Sequence, residues 1–312
     1  MASEDLVGVI LSAGMGKRID PFNTHYPKPM FPICNRPIVE YHIDYLKELD
    51  VTDIIVVVGH LKEMIMEALG DGSHLGVKIR YVEQQQTLGI AHAVMQLEPH
   101  IHGRFFLFLG DIFYVPTNLR EMTARFEETK ASGILAVKRE DDPEAILKNF
   151  SVDVDEAGRV HRVVEKPRYP INNLKGCGIY LFGPEVFDAI RQTPRTAMRD
   201  EYEITNSIQI LIDSGRPVFA SEVIRWDFNI TYPKDLLDCN RMWMEMNGLS
   251  SVVSEKATLH PDCTIENSVI GEGVVIESGI RIIRSLVLPN TRVTSGEDVQ
   301  DSILSEHSSI RC

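Results

Sequence analysis

The sequence predicts an α/β protein: a mostly parallel sheet with helices on both faces, followed by a short parallel β-helix. Three observations carry this. Strand-like and helix-like segments alternate through the first half. Ile54 to Val58 is an unbroken β-branched run, the pattern of a strand buried on both faces. Beyond about Ala257 the helical period disappears and aliphatic residues recur every six positions.

Leu6 to Leu11 reads as the first strand and ends in Ser-Ala-Gly-Met-Gly. Ile38, Tyr41, Tyr45, Leu46 and Leu49 recur at helical spacing. After the strand at Ile54, the residues Leu61, Met64, Ile65, Ala68 and Leu69 mark a helix that Gly70 stops. Val77 to Val82 alternates as a strand, Ala91 to Leu97 is helical, and Phe105 to Leu109 is a buried strand running into Gly110-Asp111. This order argues for a parallel sheet. The middle section is richer in strands, at Ile134 to Lys138, Ser151 to Val154, Arg159 to Glu165 and Gly178 to Phe182. A helix carrying Ile204, Ile208, Leu211 and Ile212, a strand at Pro217 to Ile224, and a helix over Pro233 to Met246 follow. Asn247-Gly248-Leu249-Ser250-Ser251 reads as a hinge. The expected domains are therefore residues 1–248 and 249–312. In the second, one column holds Ile270, Ile276, Ile282 and Leu288, and a neighbouring one Val269, Val275, Val287 and Val293. A hexapeptide period marks a triangular β-helix, and about 55 residues allow roughly three coils of about eighteen residues.

Composition narrows the function. The chain has 312 residues, 25% charged and 44% apolar, which is ordinary globular composition. Forty-five acidic against 32 basic residues leave a net charge of −13, unfavourable for nucleic acid or an anionic membrane. The longest apolar runs are five residues, far below the ~20 that span a bilayer. Glu4 and Asp5 stand where a signal peptide carries basic residues. Five scattered cysteines without Cys-x-x-Cys spacing suit reduced thiols and a cytoplasmic location.

The first loop carries the strongest chemical signal: Leu11-Ser12-Ala13-Gly14-Met15-Gly16-Lys17-Arg18, then Pro27-Lys28-Pro29. Glycines after a first strand let backbone amides face an anion. Ile19 stands where a Rossmann fingerprint has its third glycine, and the Gly-Lys-Ser/Thr of a Walker loop is missing. Asp111 follows a buried strand, at the strand end where α/β folds place ligand chemistry.

This loop resembles the signature of sugar-1-phosphate nucleotidylyltransferases. Val58-Gly59-His60, Gly70-Asp71-Gly72, Tyr81-Val82-Glu83-Gln84, Leu88-Gly89-Ile90-Ala91 and Glu165-Lys166-Pro167 extend the resemblance over nearly the whole chain. The nearest pattern is that of long glucose-1-phosphate thymidylyl- and uridylyltransferases ending in a left-handed β-helix. The resemblance implies a Rossmann-like nucleotidyltransferase domain that joins a nucleoside triphosphate and a sugar 1-phosphate, releasing pyrophosphate. It implies that Leu11, Ala13, Gly14, Gly16, Arg18, Gln84 and Gly89 bind the nucleotide, Gln84 reading uracil or thymine through an amide that both donates and accepts. Arg18, Lys28 and Lys166 become the catalytic cations. Glu165, Lys166 and Asn173 become the sugar-phosphate site. Asp111 and Asp227 become the ligands of Mg²⁺, a hard cation suited to carboxylates and phosphates.

One departure stands out. Counting back from Asp155-Glu156-Ala157-Gly158, Phe150 falls where the family has a glycine against the sugar. Unless the backbone turns it away, its ring fills or reshapes the sugar pocket. Cytidylyl transfer to a non-sugar phosphate, and a non-catalytic regulatory relative, therefore stay open beside UTP or dTTP chemistry. The tail shows no acyl-transfer pattern, and its coil edge suits contact between copies of the chain.

Overall fold

The computed structural model describes residues 6–170, 172–197 and 200–312. Two compact units emerge, and neither is contiguous in sequence. Of the described residues, those up to 14 and those from 42 to 227 form the first; 15–41 and 228–312 form the second.

The first unit is built on a nine-stranded mixed sheet. Its parallel half runs Lys78–Glu83, Asp53–Val58, Val7–Ser12, Phe105–Leu109. These are the apolar, β-branched runs of the sequence, and Val9, Ile10, Ile54 to Val57 and Phe105 to Phe108 are fully buried. Leu174–Phe182 then lies antiparallel beside Phe105–Leu109 and also pairs with Gly133–Arg139 and Phe150–Val154. Val218–Glu222 returns parallel to Gly133–Arg139. One face is covered by the helices Ile90–Met95, Val186–Gln192 and Ile204–Asp213. Val94, Ile190, Ile208 and Leu211 pack there on Val57, Leu107, Leu135 and Phe182.

The strand at Leu174–Phe182 begins four residues earlier than Gly178, where the sequence pattern starts it. Lys175, Gly176 and Gly178 have little intrinsic strand preference, so only pairing on both sides extends the strand. A strand at Ile112–Pro116 also escaped the sequence reading; it pairs with Ile224–Asn229 in a separate two-stranded sheet.

His42, on the helix Ile38–Glu48, is completely buried beside Phe108 and Tyr114. Its Nε2 lies 2.9 Å from the Ile112 carbonyl oxygen, which the neutral ring satisfies as a donor. Burial pushes the imidazole down to about 4.

In the second unit, residues 249–312 wind into three parallel ladders, the arrangement of a β-helix. One ladder runs Val252–Val253, Val269–Ile270, Leu286–Val287, Ser302–Leu304, and the other two hold three strands each. Ile270, Ile276, Ile282, Val287 and Val293 fill the interior. The coil repeat is 17 residues, not the expected eighteen: Val252 pairs with Val269, Thr258 with Val275 and Thr264 with Arg281. One corner is a residue short. There Asn267, Arg284 and Asp301 take positive φ of 47–48°, and a serine follows each. The Ser268 hydroxyl accepts from the Ser285 backbone N–H at 3.0 Å, and the Ser285 hydroxyl from that of Ser302 at 3.1 Å. Each of these hydroxyls donates back to a carbonyl two residues earlier. This buried ladder supplies the backbone with partners that the tighter corner removes; an unmatched buried N–H costs about 1–3 kcal/mol. The strand Ser309–Arg311 folds back antiparallel on Ser302–Leu304 and covers the end of that ladder.

The same unit holds residues 15–41 against the coil. The Asn35 amide donates to the Ile270 carbonyl at 2.8 Å, the Tyr26 hydroxyl to that of Pro289 at 3.3 Å, and the rings of His25 and His307 lie 4.2 Å apart.

The His42 shift makes a prediction. A histidine depressed in the fold binds its proton more readily in the unfolded chain. Its stabilising contribution is therefore whole above pH ~6.5 and is lost as pH falls towards about 4. Wild type should lose about 2–3 kcal/mol more than His42→Gln across that interval, read by chemical denaturation. Parallel pH curves for the two proteins would refute it.

Candidate active site

Register brings several candidate residues together. Leu11 pairs with Leu109, Ser12 with Val58, and Val58 with Glu83, so four parallel strands end at one level. The segments that follow carry Ala13 and Gly14, Gln84, and Asp111 to one edge of the sheet. Ala13 is buried and Gly14 exposed. Gln84 is 8% exposed, and its backbone N–H donates to the Val58 carbonyl at 2.8 Å. Gly89 precedes the helix Ile90–Met95 with φ 105°. A Cβ there would come within 2.5 Å of the Tyr202 carbonyl oxygen, so tight packing alone demands this glycine.

The remaining loop residues belong to the second unit. Gly16 precedes the 3₁₀ turn Lys17–Ile19, and the aliphatic stem of Lys28 packs on it. Lys28 is 8% exposed and opens a second turn, Lys28–Met30. Arg18 is exposed, its guanidinium 5.9 Å from the ring centre of Tyr232.

Glu165 ends the strand Val160–Glu165 and accepts from the Thr205 hydroxyl at 3.4 Å. Lys166 follows with φ 41°, unusual for a residue with a side chain, and its backbone N–H donates to the Asn149 carbonyl at 2.7 Å. Its ammonium lies 3.9 Å from Glu165 Oε1. Asn173 is exposed and accepts through its backbone carbonyl from the Glu140 N–H at 2.8 Å.

Phe150 is buried in the core of the first unit. It lies opposite Gly176 in the ladder, is 5% exposed, and stacks on Tyr180 with ring centres 6.2 Å apart. A Cβ on Gly176 would come within 1.9 Å of Phe150 Cζ. The bulky residue and the missing side chain are therefore complementary across the two strands.

Asp227 is the main surprise. Its side chain is 3% exposed and both oxygens accept from the Lys175 ammonium, at 2.8 and 2.9 Å. Lys138 adds a contact to Asp227 at 3.2 Å and one to Glu140 at 2.9 Å, and Lys175 lies 3.5 Å from Glu140. Burial works against the charge on Lys138, yet its hydrogen bond to Glu140 and the Asp227 charge hold its ammonium above the usual lysine range. Glu140, despite its own burial, is held below the usual carboxylate range by Lys138. The sequence reading missed Lys138, Glu140 and Lys175. The available signal was a lysine inside an otherwise apolar strand, at Leu174-Lys175-Gly176-Cys177.

Asp111 and Asp227 share a neighbourhood. Burial raises the Tyr114 hydroxyl far above its usual range, and both carboxylates add to the effect. As a two-carboxylate set for Mg²⁺, however, they do not fit, because Lys175 already occupies both oxygens of Asp227. Among the described residues no group of three or more His, Cys, Asp or Glu side chains is arranged to hold a metal.

Comparison with known proteins agrees with the fold and the motifs. Residues 7–246 match the nucleotidyl transferase family, and residues 249–312 match the GMPPB C-terminal domain. A UTP–glucose-1-phosphate uridylyltransferase of Haloferax volcanii is 36% identical over 73% of this chain and 92% of its own length. A low-salt glycan biosynthesis nucleotidyltransferase of the same organism is 34% identical, covering 84% and 71%. A glucose-1-phosphate thymidylyltransferase of Streptomyces griseus is 29% identical, covering 94% and 84%. Among solved structures, one described as a glucose-1-phosphate thymidylyltransferase from Bacillus anthracis, in complex with sucrose, superposes with a TM-score of 0.68. It is 25% identical and covers 76% of this chain and 94% of its own.

The chain thus belongs to the nucleotidyl transferase family. It is a nucleotidyltransferase whose relatives include uridylyl- and thymidylyltransferases of glucose 1-phosphate.

The strained backbone at Lys166 separates function from stability. Glycine tolerates positive φ, so Lys166→Gly should leave stability unchanged or raise it by up to about 1 kcal/mol, while nucleotidyl transfer falls. Thermal melting beside a turnover assay checks this; a variant that keeps full turnover would remove Lys166 from the site.

Proposed function

We propose that this protein transfers a nucleotidyl group from UTP or dTTP to a sugar 1-phosphate, giving an NDP-sugar and pyrophosphate. The observation that carries the reading is the common edge at which the first loop, the buried Gln84 and Asp111 follow three strands in register. The uridylyl and thymidylyl activities named for relatives point the same way.

The sugar phosphate is already an anion at neutral pH, so attack on the α-phosphorus requires no general base. One phosphate oxygen forms the new bond as the bond to pyrophosphate breaks. The chain's task is to hold two repelling polyanions in line and neutralise their charge. We assign Leu11, Ala13, Gly14 and Gly16 to the nucleotide, with Arg18 and Lys28 on its phosphates. Gln84 and Gly89 read the base. Glu165 and Asn173 hold sugar hydroxyls, and Lys166 holds the sugar's phosphate. Members of this family generally work with a divalent cation, for which we assign Mg²⁺ accompanying the triphosphate; no role above is routed through it. We place catalysis in residues 1–248 and self-association in the left-handed β-helix of residues 249–312, in a cytoplasmic homo-oligomer. Five free thiols suit that compartment.

The direct test is a matrix of UTP, dTTP, CTP, GTP and ATP against a panel of sugar 1-phosphates, scored by product mass. Product with UTP or dTTP is expected, and product with CTP or purines alone would overturn the base assignment. Arg18→Ala should lower turnover by ~10²–10³ without loss of fold. Wild-type turnover in that variant would exclude the role given to Arg18.

A further inference from the structure

Asp227 is surrounded as a charge anchor is, not as a metal ligand is. Lys175 and Lys138 face each other directly across antiparallel strands. Like charges in that position destabilise a sheet, and lysines this buried need partners. Their side chains are 4% and 13% exposed. Asp227 and Glu140 supply one carboxylate per ammonium, so the quartet closes at zero net charge. A divalent ion brought to Asp227 would have to displace Lys175 from both oxygens. It would also leave two opposed ammonium groups balanced by Glu140 alone, in a place that water barely reaches.

We infer that Asp227 is not a metal ligand in this protein: with Glu140 it is committed to ion pairs with Lys175 and Lys138, and any divalent ion is held by Asp111 and the substrate phosphates. This rests on the nucleotidyl-transfer reading. Lys175 then acts as a positioning residue. It keeps Asp227 neutralised beside Asp111, so the negative potential that two bare carboxylates would create never meets the incoming polyphosphates. Part of the site's charge compensation is covalently built in and does not dissociate when metal is chelated.

The test uses Mn²⁺ as the probe, titrated into the full-length protein without nucleotide and followed by electron paramagnetic resonance. Because it reads binding and not turnover, it stands apart from the substrate matrix. A protein inactive with every nucleotide would overturn the functional reading and leave the ion measurement interpretable. Asp227→Asn should keep Mn²⁺ affinity within twofold of wild type, whereas Asp111→Asn should weaken it tenfold or more. Lys175→Met uncovers Asp227 and should tighten Mn²⁺ binding about tenfold, a gain that adding Asp227→Asn removes. A loss of threefold or more in Asp227→Asn overturns the inference. Should that variant fail to fold, the pair Lys175→Met/Asp227→Asn, which removes both charges together, takes its place under the same criterion. If wild-type binding is too weak to read, binding gained in Lys175→Met and lost with Asp227→Asn supports the inference. No gain overturns it.

Discussion

The constraint on which this structure depends is the register of the central strand Val7–Ser12 between its two parallel neighbours. Pairing of Ser12 with Val58 and of Leu11 with Leu109 ends these strands at one height. In a parallel sheet all the chains leave by the same edge, so three consecutive loops share one rim. A shift of one residue would turn every side chain of the strand to the opposite face. The buried runs on both faces resist that slip, and the site residues inherit their positions from this resistance.

The antiparallel strand Leu174–Phe182 has a different task. It carries charge into an apolar sheet. Lys175 is placed on it among fully buried neighbours, and the cost is offset by Asp227 from the strand Ile224–Asn229 and by Glu140, which directly follows the strand Gly133–Arg139. One residue along the same strand, Gly176 gives its side-chain volume to Phe150. Ion-pair closure and volume exchange both act between strands distant in sequence, and each makes sense only when both partners are known.

The β-helix shows the same division on a smaller scale. The aliphatic columns revealed its coiled character, because interior positions must be apolar wherever the chain turns. They did not reveal the period. A six-residue column assumes three equal sides, whereas one corner is tightened at Asn267, Arg284 and Asp301 and closed by hydroxyls from successive coils. The serines at 268, 285 and 302 stand seventeen apart in the chain, so the true repeat was written there in polar residues, outside the aliphatic columns.

Local chemistry therefore determined much from the sequence alone. Alternating strands and helices, the glycine-rich first loop and the Glu165-Lys166-Pro167 segment all act over a few residues, and short-range patterns suffice to recognise them. The elements that escaped include the helices Arg120–Thr129, Pro143–Lys148 and Val186–Gln192 and the strand Ile112–Pro116; the first residues of Leu174–Phe182 have weak local preference and join the strand because neighbours pair with them. Tertiary structure alone decided that the Phe150 ring is buried in the core and that Asp227 belongs to two lysines. Burial and ion pairing depend on which distant groups arrive within a few ångströms, and residue spacing along a chain does not encode those distances.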